Sequence, residues 1–141
     1  VEQVTLRVTR LRAVDGTVWH VPNGVINRVG NRSQLWSVAL LDVDVAYSCD
    51  AAAAGEVILA AASRVCTRDD FAHHVLEDPQ LLGVEALRAD GVTLRLRVKT
   101  EPGEQWALMR ALRAEIKRGL DEAGIEIPFP QRTVWLRRDA R

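Results

Sequence analysis

Apolar and polar residues alternate at the start of the chain, with Val4, Leu6 and Val8 facing one way and Thr5, Arg7 and Thr9 the other. That period of two predicts a half-buried strand. Asp15-Gly16 turns the chain, the β-branched and aromatic run Thr17 to Val21 predicts a second strand, Pro22-Asn23-Gly24 turns it again, and Val25 to Val29 predicts a third. The first unit is therefore expected to be small and all-β. From Leu35 to Tyr47 the pattern becomes an almost unbroken apolar run interrupted by Asp42 and Asp44, as in a strand covered on one side by a second layer. A domain boundary is expected near Ser33 to Ser37.

Asp50 is placed to cap a helix from Ala51 to about Val65, because its carboxylate can accept the unpaired amides of the first turn. Only Glu56, Ser63 and Arg64 give this helix a wet face, so it should be covered on more than one side. After Asp78-Pro79, Val84 to Arg88 and Val92 to Thr100 flank Asp90-Gly91, the mark of an antiparallel hairpin. Val92, Leu94, Leu96 and Val98 form the core face of its second strand; Thr93, Arg95, Arg97 and Lys99 form the other. Met109, Leu112, Ile116 and Leu120 recur at helical spacing between Gly103 and Ala123, with Gly124 where a left-handed residue ends a helix. Pro128-Phe129-Pro130 then leads to a last strand, Thr133 to Arg138. The order β-α-β-β-α-β after the small β unit is the split βαβ, ferredoxin-like plan of an α+β protein.

Composition narrows the functional classes. The 141 residues contain 19 basic and 19 acidic side chains, so no global field favours nucleic acid or an anionic surface. No stretch approaches the roughly 20 apolar residues of a membrane-spanning helix. The sequence opens at Val1 directly in a strand pattern and is expected to be a fragment. Cys49 and Cys66 flank one helix about 25 Å long, too far apart to bridge within one chain.

Three blocks resemble the cytoplasmic region of the small-conductance mechanosensitive channel (MscS) family. "VEQVTLRVTRLRAVDGTVWHVPNGVINRVGNRS" is similar to its small Sm-like β domain, "LLDVDVAYSCD" to the strand opening its α/β domain, and "IPFPQRTVWL" to the closing segment with which each subunit contributes one strand to a barrel. The resemblance implies residues 1–35 as an N-terminally incomplete β domain, 36–127 as the ferredoxin-like domain, and 128–141 as a C-terminal strand and basic tail. It further implies a homo-oligomer, expected as a heptamer, whose cytoplasmic parts form a vestibule below a pore opened by membrane tension. Missing N-terminal helices would hold that assembly in the lipid bilayer of the inner membrane, with this part cytoplasmic. Asn23 and Gly24 match the turn facing the pore-lining helix, a role that free backbone groups would suit. Arg95, Arg97 and Lys99 are expected to make a basic vestibule or sheet face, and Trp135, Phe129 and Leu136 are expected at the oligomer interface.

Other chemistry is poorly supported by the residues. His73 and His74, adjacent on an expected helix, point about 100° apart without a third ligand at a useful spacing. No acid, base and nucleophile set accompanies Cys66 or His20, so neither an enzyme nor a cofactor is expected. The competing reading is a free-standing ferredoxin-like module that binds a ligand or nucleic acid through Arg95 and Arg97. The strand that bears those cations lacks interleaved Phe or Tyr, so stacking on bases is unavailable and no nucleic-acid partner is expected. Trp19, Trp36, Trp106 and Trp135 are candidate core or interface anchors.

Overall fold

The computed structural model describes residues 1–32 and 34–135, which fall into two compact units, Val1–Asn31 and a larger one that begins at Arg32. In the first, β1 (Gln3–Val4), β2 (Val8–Arg12) and β3 (Val18–Pro22) make an antiparallel sheet in that order. The alternation across residues 4–9 conceals a turn. The Thr5 hydroxyl donates to the Val8 carbonyl at 2.8 Å and accepts from the Val8 amide at 3.1 Å, folding β1 back onto β2. A tight turn stabilised by a threonine side chain leaves the period-two pattern intact, so the pattern alone does not reveal it. The Asp15-Gly16 turn forms as expected: the Thr17 amide donates to the Asp15 carboxylate, and Gly16 has φ +89°.

The third strand expected over Val25 to Val29 does not form. Asn23–Val25 make one 3-10 turn, and residues 26–31 contain no regular element. Val25 and Val29 are exposed, without the cross-strand neighbours that reward extended backbone. Among residues 1–32 Thr9 alone is buried, so this unit has almost no core of its own.

The larger unit contains β4 (Ser37–Ala46), α1 (Ala51–Cys66), β5 (Gln80–Leu87), β6 (Gly91–Thr100) and α2 (Gln105–Glu122). Its sheet is antiparallel in the order β4-β6-β5, with β6 central. Leu94, Leu96 and Val98 of β6 meet Ala39, Leu41 and Val45 of β4, and both helices cover that face with Ile58, Val65, Leu108, Leu112, Ile116 and Leu120. The α2 stripe thus runs through Leu108, while Met109 is half-buried beside it. Asp50 caps α1 through the Ala52 amide at 2.9 Å. Gly124 adopts φ +67°, and the Ile125 amide returns to the Leu120 carbonyl at 2.9 Å. This closes α2 in the manner its sequence predicts.

Two expectations need correction here. His73 and His74 lie in turns rather than on a helix. The last strand, expected over Thr133 to Arg138, is not seen at Thr133–Trp135, which are exposed and irregular, and Leu136 to Arg138 lie outside the described residues. A strand requires a partner. The segment after α2 gives β4 one backbone hydrogen bond, from the Ala46 amide to the Glu126 carbonyl at 3.0 Å.

Glu115 braces the two helices. Its carboxylate accepts from Arg118 at 2.5 Å and from Arg64 of α1 at 2.8 Å, and these two guanidiniums, Arg118 first, hold its pKa down at about 2. Because the folded value is depressed, the contribution to stability is complete above the ordinary carboxylate range near 4.5 and is lost as pH falls towards 2. Both arginines are largely solvated, which limits the gain to about 1 kcal/mol or less. Glu115→Gln is expected to lower the unfolding free energy at neutral pH by that small amount. The gap to the wild type should close by pH 2; a constant gap would assign the loss to packing instead.

Candidate functional site

Asn23 is pinned within its own unit. Its amide donates to the Arg7 carbonyl at 2.8 Å, its side-chain Nδ2 donates to the Thr5 carbonyl at 2.8 Å, and its Oδ1 accepts from Thr9 Oγ1 at 2.8 Å. The Asn23 carbonyl accepts from the Ile26 amide. The expectation of free backbone groups at this turn therefore fails for Asn23, whose polar atoms tie β2, β3 and the Thr5 turn together. Gly24 is exposed, with nothing within 4 Å of where a Cβ would project. The exposed part of the turn is thus Gly24 and Val25 beside it.

The sheet face turned away from the helices bears the three expected cations, but it is not a basic face. Strand register sets Asp42 opposite Arg95 and Asp44 opposite Thr93. Arg95 grips Asp42 with two bonds, Nε to Oδ1 at 2.7 Å and Nη2 to Oδ2 at 2.9 Å, and its Nη1 contacts Glu85 of β5. One guanidinium thus links all three strands. The Arg95 bond is the main cause that holds Asp42 below the usual carboxylate range, and Asp42 in turn raises Arg95. Lys99 pairs with Glu77 at 2.6 Å and lies 5.0 Å over the Trp36 ring; Glu77 is lowered chiefly by that bond. Arg88 donates to Thr93 Oγ1 at 2.8 Å, and Thr93 donates to Asp44 at 2.5 Å. Among the described residues no hydrogen bond or ion pair reaches the Arg97 side chain, which stands between Leu40 and Gln80.

At the far end of the sheet the chain leaves α2 past the β5–β6 hairpin. The Gln131 amide donates to Asp90 Oδ1 at 3.0 Å, and the Tyr47 hydroxyl donates to the Arg88 carbonyl at 2.7 Å. On either side of the Gln131 bond, Phe129 is 73% and Trp135 90% exposed. Trp19, Trp36 and Trp106 are also largely exposed, so none of the four tryptophans is a core residue within its own unit. Leu136, the third expected interface residue, lies outside the described residues.

Catalytic or metal chemistry finds little support. Cys49 and Cys66 are both free, and burial pushes the Cys66 thiol up to about 11, the opposite of an activated nucleophile. A cleft of about 670 Å³ beside it is walled by Leu59, Val75, Leu76 and Pro79. His74 Nδ1 sits 2.8 Å from the Glu101 carboxylate, which raises its pKa. Among the described residues no group of three or more His, Cys, Asp or Glu side chains could hold a metal, and no helix is long and apolar enough to cross a membrane.

A three-stranded antiparallel sheet in the order β4-β6-β5, with both helices on one face, defines the larger unit as a split βαβ, α+β fold. Residues 39–127 match the family described as "Mechanosensitive ion channel MscS, C-terminal", and the chain belongs to that family. It is 29% identical over 141 residues to a small-conductance mechanosensitive channel of Caldanaerobacter subterraneus subsp. tengcongensis, covering 96% of this chain and 47% of the relative. It is 30% identical over 148 residues to an MscS family protein of Archaeoglobus fulgidus, covering 100% of this chain and 49% of that one. The chain therefore spans about half the length of these relatives. The crystal structure of Helicobacter pylori MscS in its closed state shares the fold, with a TM-score of 0.72 and 20% identity over 98% of this chain and 54% of that one.

Proposed function

We propose that this chain is the vestibule-forming part of a mechanosensitive ion channel subunit that releases ions and osmolytes under membrane tension. It works without catalysis, as one subunit of a homo-oligomer, expected to be a heptamer, held in the inner membrane by helices outside this sequence, with this part on the cytoplasmic side. The family match over residues 39–127 carries the reading. The surface supports an assembly. The first unit buries Thr9 alone among residues 1–32, far less than a unit of that size needs for stability by itself, and Phe129, Val134 and Trp135 project uncovered from the larger unit. Large apolar side chains left uncovered in this way favour a protein partner.

In this reading Gly24, with Asn23 bracing it from below, is the part of the β-unit turn that meets the pore-lining helix. Arg95, Arg97 and Lys99 belong to a vestibule-facing sheet surface. Four carboxylates, Asp42, Asp44, Glu77 and Glu85, accompany Arg88, Arg95 and Lys99 there, and Arg97 brings the cations to the same number. Such a surface offers little net charge to a polyanion, which weakens the competing nucleic-acid module.

Patch-clamp recording from membranes expressing the complete reading frame tests the function directly. Suction should evoke single-channel currents absent from control membranes, and their absence with protein present in the membrane would sink the proposal. Trp135 offers a second test, since an aromatic residue 90% exposed in the single chain contributes little to folding but much to an interface that covers it. Trp135→Ala is expected to weaken subunit association about tenfold while leaving the denaturation midpoint of the larger unit almost unchanged. Equal losses in both would assign Trp135 to the core.

A further inference from the structure

The segment after α2 is held at two points. At the first, the Glu126 carbonyl accepts from the Ala46 amide at 3.0 Å at the end of β4. At the second, the Gln131 amide donates to Asp90 Oδ1 at 3.0 Å, across to the tip of the β5–β6 hairpin. Between them lie Pro128 and Pro130, which fix their own φ angles and restrict the residues that precede them. Pro128 rests on Gly91: a Cβ there would meet Pro128 Cγ at 2.8 Å and the Val45 carbonyl oxygen at 2.4 Å. The hairpin tip is itself tied to the end of β4 by the bond from the Tyr47 hydroxyl to the Arg88 carbonyl. A stiff segment fixed at both ends leaves with few alternative directions, whereas ordinary residues after a helix end fray.

We infer that Asp90 and Gly91 form a clamp that aims the C-terminal segment out of the larger unit, so that Phe129 and Trp135 are presented in one direction to a second copy of this chain. Asp90 is then a positioning residue for assembly, acting through Gln131, and Gly91 is the seat that lets Pro128 come close. The assembly side of this inference rests on the channel-subunit reading; the clamp rests on the geometry alone. Pre-ordering the segment lowers the entropy lost when copies join.

Amide hydrogen exchange on the 141-residue chain tests the clamp, with native mass spectrometry of the same samples for assembly. Asp90→Ala removes the acceptor, and Asp90→Asn keeps a carbonyl oxygen in its place. The Gln131 amide should exchange about tenfold faster in the alanine variant, the scale of a lost bond to a charged acceptor, and stay near the wild-type rate in the asparagine variant. Amides of β6 should be unchanged in both. Unchanged Gln131 exchange in Asp90→Ala, or equal acceleration in the two variants, overturns the clamp. If exchange responds as expected and the variant assembles as well as the wild type, the aiming role is overturned. A wild-type chain that never assembles counts against the assembly reading, and the exchange result still decides the clamp.

Discussion

Leu96→Ala is expected to destabilise the larger unit by about 3 to 4 kcal/mol, within the usual range for a leucine truncated in a tight core. Leu96 is fully buried on β6, the strand that pairs on both sides, and register sets it between Leu41 of β4 and Leu81 of β5. A cavity there removes contacts from both neighbouring strands and from the helices above them, and the flanking strands cannot close in without breaking their ladders to β6. Domains are typically stable by only about 5 to 15 kcal/mol, so the variant should unfold at a much lower denaturant concentration. A loss below about 1 kcal/mol would mean that the layer above β6 repacks freely and is not the close-packed core described here.

The second large effect separates two glycines at which an added Cβ would come within 3 Å of a neighbour. Gly91→Ala puts a methyl group 2.4 Å from a backbone oxygen of β4 and 2.8 Å from Pro128. The paired strand cannot yield without losing hydrogen bonds, so a cost of about 2 to 3 kcal/mol is expected, at the upper part of the range for overpacking. Gly55→Ala, inside α1, meets only the terminal methyl of Leu81 at 2.6 Å. That flexible, half-buried side chain can turn aside, and alanine gains roughly 0.5 to 1 kcal/mol over glycine within a helix. Chemical denaturation of the two variants side by side should show a clear loss for Gly91→Ala and a change within about 1 kcal/mol for Gly55→Ala. The reverse order would contradict the close approach of β4, β6 and Pro128.

These two glycines show where sequence reasoning reaches its limit. Elements set by local chemistry were legible: the alternation of β6, the Asp50 cap, the stripe of α2 and the left-handed Gly124 each depend on residues within a few positions of one another. Features that depend on a distant strand were not. β5 begins at Gln80, earlier than its apolar run from Val84 suggests, and it carries register shifts between Leu81 and Gly83 and between Val84 and Ala86. The Asp90-Gly91 pair reads as a hairpin turn, and nothing nearby signals that it also holds Gln131. Arg95, Arg97 and Lys99 were readable as one face, yet the acidic partners of Arg95 and Lys99 sit on other strands and in the loop before β5. Asp42 and Asp44 showed only as interruptions in an apolar run, and pairing them with Arg95 and Thr93 requires the β4–β6 register. The missing strand at Val25 to Val29 has the same origin, since β-branched residues favour extended backbone but form a strand only beside another.

The charge pairing across the sheet also bears on how this surface responds to changing ionic strength. A face of three unpaired cations would act through a long-range field, with a reach that shrinks from about 8 Å in physiological salt to about 3 Å at 1 M. Arg95 and Asp42 meet at 2.7 Å, and Lys99 and Glu77 at 2.6 Å, inside even the shorter of those lengths. A surface built from contacts this short keeps nearly the same arrangement in dilute and in concentrated salt. Arg97, without such a contact among the described residues, is the position on this face where screening by salt would be felt most.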